Sequence, residues 1–204
     1  MGNLLNIINP LHKSTQRDYI GRMNNNKVEC MKIAKKYGKD FWDGDRIYGY
    51  GGYKYDGRQE SIAKKLIEYY NLKDGSKILD VGCGKGFLLY EFKKFLPESK
   101  LSGFDISNYA IQNSKEEIKK DLFIHNAKDK YPFNFKEFDL VTSITTLHNL
   151  QVGDLKKSLQ EIERVGKNKY IAVESFRNEK ELFNLQCWAL TCASFFTPDE
   201  WKWL

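Results

Sequence analysis

The sequence predicts an α/β fold, a parallel sheet with helices on both faces, and three observations predict it. Residues 77–91 read without a break as a buried strand, a glycine-rich turn and a helix. Four further apolar runs follow, separated by segments of helical spacing, and strands that alternate with helices form a parallel sheet through right-handed crossovers. A length of 204 residues, 41% of them hydrophobic, supplies one sizeable core and little room for a second.

Taken in order, residues 1–26 mix polar and apolar side chains with weak periodicity, so their order depends on docking to the remainder. Residues 28–37 read as a short helix. Residues 41–58 hold five glycines and six aromatics, which suits neither a regular helix nor a continuous strand. This segment reads as a lid in which Tyr48, Tyr50, Tyr53 and Tyr55 wall a pocket and Asp43, Asp45, Arg46 and Arg58 add polar contacts, or else as a rigid aromatic plug. Residues 61–70 have helical spacing in Ile62, Leu66, Ile67 and Tyr70 and lead into the first strand, with its run Ile78, Leu79, Val81. A helix over 87–95 stops near Pro97, a strand runs over 101–106, a helix over 108–120 and a third strand over 122–127. The fourth strand and its exit span 138–148, a helix 151–165 and the fifth strand 169–176. Residues 181–192 form an amphipathic helix, and Thr197-Pro-Asp-Glu200 is a helix start with a capping box.

The glycine turn carries the chemistry. Gly82, Gly84 and Gly86 leave only backbone at the point where strand becomes helix, so a ligand can approach the main chain and the free N–H groups of the helix start. A dinucleotide fingerprint would place its third glycine at Phe87, so the spacing argues against a nicotinamide dehydrogenase. The run Ile78-Leu-Asp-Val-Gly-Cys-Gly-Lys-Gly86, with Asp105 ending the next strand in Gly103-Phe-Asp-Ile-Ser107, closely resembles the first motif of class I S-adenosylmethionine-dependent methyltransferases. The resemblance covers roughly residues 60–204 and implies a Rossmann-like class I methyltransferase fold. It implies a cofactor, S-adenosyl-L-methionine, held by Asp80, Gly82, Cys83, Gly84 and Gly86 in the loop, Asp105 and Ile106 at the ribose, Asn126 and Ala127 near the adenine, and Ser143 on the fourth strand. In the family a residue after the third strand, often acidic, meets the adenine amine; here Asn126 offers an uncharged amide. The family's fold ordinarily continues into an antiparallel sixth and seventh strand. With Leu204 last, that C-terminal hairpin is expected to be missing. The Tyr48-Gly-Tyr-Gly-Gly-Tyr53 segment resembles one in small-molecule methyltransferases associated with bacterial surface-sugar gene clusters.

From this follow two units, an N-terminal extension with helix and lid (1–58) and a cofactor-binding methyltransferase domain (59–204), and a function, methyl transfer to an O or N nucleophile of a small molecule. A sulfonium methyl is already electrophilic, so orientation of the acceptor is the larger task. His148, at the exit of the fourth strand, is placed to serve as general base, and Glu174 to reach the substrate side. His12 and His125 lack comparable context. Alternatives are a non-catalytic binding scaffold and a nucleic-acid methyltransferase. Enzymes that methylate exocyclic base amines carry Asn/Asp-Pro-Pro-aromatic after the fourth strand, where this chain has Ser143-Ile-Thr-Thr-Leu-His148.

Composition narrows partners further. A net charge of +6 is spread over scattered lysines, which describes a solvated surface rather than a nucleic-acid groove. Cys30, Cys83, Cys187 and Cys192 lack zinc-ligand spacing, pointing to reduced thiols and a cytoplasmic location. No signal peptide, membrane span or metal-ligand cluster is indicated. The partner expected is a small-molecule acceptor; the oligomeric state stays open, a homodimer included.

Overall fold

A computed structural model describes residues 3–8 and 17–204. Five strands, β1 (Lys77–Val81), β2 (Lys100–Asp105), β3 (Leu122–Ile124), β4 (Phe138–Ile144) and β5 (Gly166–Ala172), form one sheet in the order β3-β2-β1-β4-β5. All four pairings are parallel. An antiparallel hairpin does not occur among the described residues.

The helices are α1 (Tyr19–Asn24), α2 (Lys27–Ala34), α3 (Lys39–Asp43), α4 (Glu60–Tyr69), α5 (Phe87–Phe95), α6 (Asn108–Gln112), α7 (Glu116–Lys119), α8 (Val152–Val165), α9 (Glu179–Trp188) and α10 (Pro198–Trp203). Because strand side chains alternate, β1 feeds two cores. Ile78 packs with Ile62 and Leu66 of α4 and Leu89 and Phe92 of α5. Leu79 and Val81 join Phe104, Val141, Leu155 and Ile162 on the other side. A central strand covered on both faces needs the continuous apolar run that the sequence shows.

Several expected elements differ in their bounds. The helix over 108–120 is two, because the Asn113 amide donates to Tyr109 O and the Ser114 hydroxyl to Ile111 O, while Lys115 turns extended before α7. The third strand ends at Ile124, the last residue that pairs with β2. The fifth strand starts earlier than expected, directly from α8, since a Cβ at Gly166 would lie 2.7 Å from Val141 Cγ2. It ends at Ala172, and beyond it the Glu174 N–H turns to a side chain, His148 Nδ1. Asn178, whose side chain accepts from Glu181 N, starts α9 ahead of residue 181. The capping box of Thr197 and Glu200 forms as read. Within residues 1–26, Ile7 and Ile8 dock into the core, α1 adds a helix that the sequence did not signal, and His12 lies outside the described residues.

Candidate functional site

The turn after β1 has the backbone that its glycines permit. Gly82, Gly84 and Gly86 take φ of 76°, 56° and 71°, a region that L side chains rarely adopt. Added Cβ atoms would also collide, 2.2 Å from Thr146 Oγ1 at Gly82 and 2.3 Å from Ile118 Cδ1 at Gly86. Asp105 closes the turn from the end of β2. Its carboxylate accepts from Gly84 N at 2.9 Å and Ser107 N at 2.8 Å, so one buried side chain joins the loops after β1 and β2. Burial raises the Asp105 carboxyl against the lowering effect of those two bonds.

Asp80 lies below this turn, where Thr142 Oγ1 donates to it at 2.7 Å. Burial raises its carboxyl to about 7, the Thr142 bond opposing and the Asp105 charge adding to the rise. A folded value above the ordinary 3.8 gives stability that is full below about pH 4 and lost as pH rises through about 7. At about 1.4 kcal/mol per unit, the loss reaches about 4 kcal/mol. Thermal unfolding followed from pH 5 to pH 8 should show a falling midpoint, and Asp80→Asn should flatten that fall.

An aromatic layer covers the glycine turn. Trp42 of α3 is buried, its indole N–H donates to Ser107 Oγ at 2.8 Å and Tyr37 O at 3.1 Å, and its ring lies against Gly84, 2.8 Å from where a Cβ would be. Tyr50 stacks on Trp42 at 5.3 Å with an interplanar angle of 10°, and Tyr53 stacks on Phe87 at 5.0 Å and 17°. Tyr50 keeps 39% of its surface exposed, and desolvation raises its phenol. Asp43 fastens the layer. It accepts from Lys85 Nζ at 2.7 and 2.8 Å, from Tyr109 Oη at 2.8 Å and from Tyr53 N at 3.0 Å. Although burial pushes its carboxyl up, the bonds from Lys85 and Tyr109 hold it below the usual range. Beside the layer, Arg46, Tyr50, Gly52, Tyr53, Lys54, Arg58 and Gln59 line a cavity of about 270 Å³.

The exit of β4 meets the turn at Thr146. Thr145 has φ of 55°, a strained conformation for a β-branched residue, and such strain clusters at functional sites. Thr146 touches Gly82, and His148 follows in the 3-10 turn Leu147–Asn149. The ring is buried and its Nδ1 accepts from Glu174 N at 3.2 Å, which leaves the neutral ring's proton on Nε2. Burial lowers it to about 4, with the Glu174 charge opposing. At neutral pH this histidine is therefore arranged to donate from Nε2, and the general-base expectation requires it to surrender the Glu174 bond first.

The expected residues divide accordingly. Asp80, Gly82, Cys83, Gly84, Gly86 and Asp105 surround one turn, with Ile106 exposed just beyond it. Asn126 and Ala127 follow β3, the Asn126 Oδ1 accepting from Lys128 N at 3.2 Å. Ser143 is turned inward, its hydroxyl donating to Val81 O at 3.0 Å, so it offers a cofactor no free side chain. Tyr50, Tyr53 and Arg58 reach the cavity, although Arg58 also pairs with Asp56. Tyr48 instead packs with Cys30, Ala34 and Leu190, and Tyr55 donates to the buried Glu91 at 2.5 Å, so neither lines that cavity. Glu174 acts on His148 through its backbone. Sequence reasoning missed Trp42, Lys85, Thr145 and Thr146. A lysine inside an otherwise bare glycine turn was the one signal available. Among the described residues no group of three metal-binding side chains occurs.

A family model described as a methyltransferase domain matches residues 72–204. A mitochondrial protein of Mus musculus, arginine-hydroxylase NDUFAF5, is 29% identical over 136 residues, covering 66% of this chain and 39% of that one. Ribosomal RNA small subunit methyltransferase C of Buchnera aphidicola is 32% identical over 146 residues, covering 66% and 42%. The chain thus spans about two fifths of the length of these curated relatives. In structure, the YcgJ protein of Bacillus subtilis aligns with a TM-score of 0.56 at 17% identity, covering 69% of this chain and 64% of that one, a likeness of fold.

Proposed function

We infer the function from one premise: the chain belongs to the class I S-adenosylmethionine-dependent methyltransferase family, and S-adenosylmethionine is its cofactor. On our reading the protein transfers a methyl group from that cofactor to an O or N nucleophile of a small molecule. The observation that carries this reading is the register of three positive-φ glycines with the Asp105 carboxylate across the ends of β1 and β2. That cradle fits the group once the Trp42 cover on Gly84 is displaced: the turn then presents backbone, and each Asp105 oxygen, bonded once to a backbone N–H, keeps a lone pair for a ribose hydroxyl.

When bound, the cofactor supplies an electrophilic methyl on a sulfonium. The chain's residues hold and orient. Asp105 and the Gly82–Gly86 turn would take the ribose and methionine ends, Ile106, Asn126 and Ala127 the adenine side, and Asp80 the base of the turn. Trp42, Tyr50 and Tyr53 exclude water above it. His148 would present Nε2–H to the acceptor and thereby place its nucleophile, Glu174 would fix the ring that does so, and the proton the nucleophile loses would pass to solvent. A cavity of about 270 Å³ beside Tyr50 and Tyr53 has room for a small acceptor and supports this reading. The described residues include no helix long and apolar enough to cross a membrane. Four free, buried cysteines support a cytoplasmic location.

Calorimetry with S-adenosylhomocysteine tests the cofactor, and transfer of a labelled methyl group across a metabolite panel tests the activity. His148→Ala should lower turnover by about ten- to a hundredfold with cofactor affinity unchanged, and His148→Gln should retain part of the rate by keeping a donor. A pH profile flat from 6 to 8 is expected, because the ring stays neutral throughout. A His148→Gln variant as inactive as His148→Ala would instead establish the base role, since an amide donates but takes up no proton.

A further inference from the structure

At the edge of the same cavity three arginines crowd one indole. The guanidinium carbons of Arg17, Arg22 and Arg46 lie 4.8, 5.2 and 5.2 Å from the Trp188 ring centroid. With three cations over one ring, two must share a face. Such an arrangement normally brings carboxylates with it, because guanidinium charges within about 10 Å repel one another at low ionic strength. Here none is found. The arginine ion pairs of the described residues belong to Arg58, Arg164 and Arg177, and residues 9–16, which precede Arg17, contain no Asp or Glu.

Nor do other acceptors account for the charge. Arg22 Nη1 donates to Arg46 O at 3.1 Å and Arg46 Nη1 to Gly49 O at 2.6 Å, but Nε of Arg17 and Nε of Arg22 are buried with no acceptor among the described residues. The carbonyl end of α9, a negative pole beside Trp188, is already taken by Lys27, whose ammonium donates to Gln186 O and Cys187 O. Burial lowers the Arg22 and Arg46 guanidiniums, and the neighbouring arginine charge adds to the lowering in each case. Four cations are thus gathered with donors left over and, among the described residues, no carboxylate paired with them; Asp18 and Asp45, next to Arg17 and Arg46 in sequence, accept from Gly21 N and Ile47 N instead.

We propose that Arg17, Arg22 and Arg46, with Trp188 as their platform, bind the phosphate group of a small phosphorylated molecule. A phosphate monoester carries close to two negative charges at neutral pH and three acceptor oxygens, which suits several guanidinium forks better than a single carboxylate would. Arg46 lines the cavity as well, so a molecule anchored here extends toward Tyr50 and Tyr53. As the anchor of the methyl acceptor the site rests on the methyltransferase reading; as a phosphate site it does not.

The test is titration of the full chain with inorganic phosphate, glycerol phosphate and a nucleoside monophosphate, against chloride at matched ionic strength, by calorimetry and thermal unfolding. Saturable phosphate binding is expected, weakened at least tenfold in Arg17→Gln and Arg22→Gln, with S-adenosylhomocysteine affinity unchanged. A preference for either ester over inorganic phosphate tells which molecule the cavity extends to. Equal effects of phosphate and chloride, or phosphate binding undiminished in both variants, would overturn the site. Should the variants fail to fold, phosphate protection of Arg17, Arg22 and Arg46 from a dicarbonyl reagent, read by peptide mass spectrometry, decides: protection supports the site and equal modification removes it. Phosphate binding without S-adenosylhomocysteine binding would leave the site standing and sink the methyltransferase reading.

Discussion

Asp105→Ala is expected to weaken S-adenosylhomocysteine binding by at least about a hundredfold, the equivalent of about 3 kcal/mol. Two losses add. The ribose would lose charge-assisted bonds, each worth about 1.5–3 kcal/mol, and Gly84 N and Ser107 N would lose the acceptor that holds the two loops together. Asp105→Asn separates the losses, since its one amide oxygen can still accept from a single backbone N–H while the charge is gone. Calorimetry on both variants should therefore rank wild type above Asn and Asn above Ala. Wild-type affinity in the alanine variant would remove Asp105 from the cofactor site.

The second large effect concerns the aromatic layer. Trp42→Ala deletes a buried indole with two hydrogen bonds, and truncation of this kind costs about 3–5 kcal/mol. A fall of that size in chemical denaturation should come with cofactor affinity that is kept or raised, because the indole rests on Gly84, in the turn where we propose the cofactor binds. Such an outcome marks the segment as a packed cover that a ligand displaces. A mobile lid that closes only on the bound ligand would instead lose little stability and much affinity. Limited proteolysis gives an independent reading: slow cleavage within residues 41–58 in the free protein belongs to the packed cover.

Much of this was legible from residue patterns. The apolar run of β1 and the glycines after it fixed both the sheet's centre and the positive-φ turn that follows it, because these depend on neighbours along the chain. Asp105 was legible for the same reason, as the last residue of the next strand. What escaped depends on contacts between distant segments. The tautomer of His148 follows from a backbone N–H 26 residues away, and the inward turn of Ser143 from the Val81 carbonyl of an adjacent strand. The break after α6 arose from side chains that bond their own backbone, a competition that hydrophobic spacing does not register. Tyr48 and Tyr55 share the composition of Tyr50 and Tyr53, and only their partners, Leu190 and Glu91, set them apart.

The indole of Trp42 is tied to Ser107, 65 positions later, and Asp43 to Lys85, 42 positions later. During synthesis the aromatic segment therefore leaves the ribosome well before either anchor exists, and it must wait in water until β2 and the turn after it have formed. Contacts of such sequence separation form late, after the loops between them have closed. The cover is accordingly the last part of this region to be laid down, over a glycine turn already in place. For that interval the nascent chain exposes Trp42, Tyr50 and Tyr53 together, a surface on which chaperones or unwanted association can act.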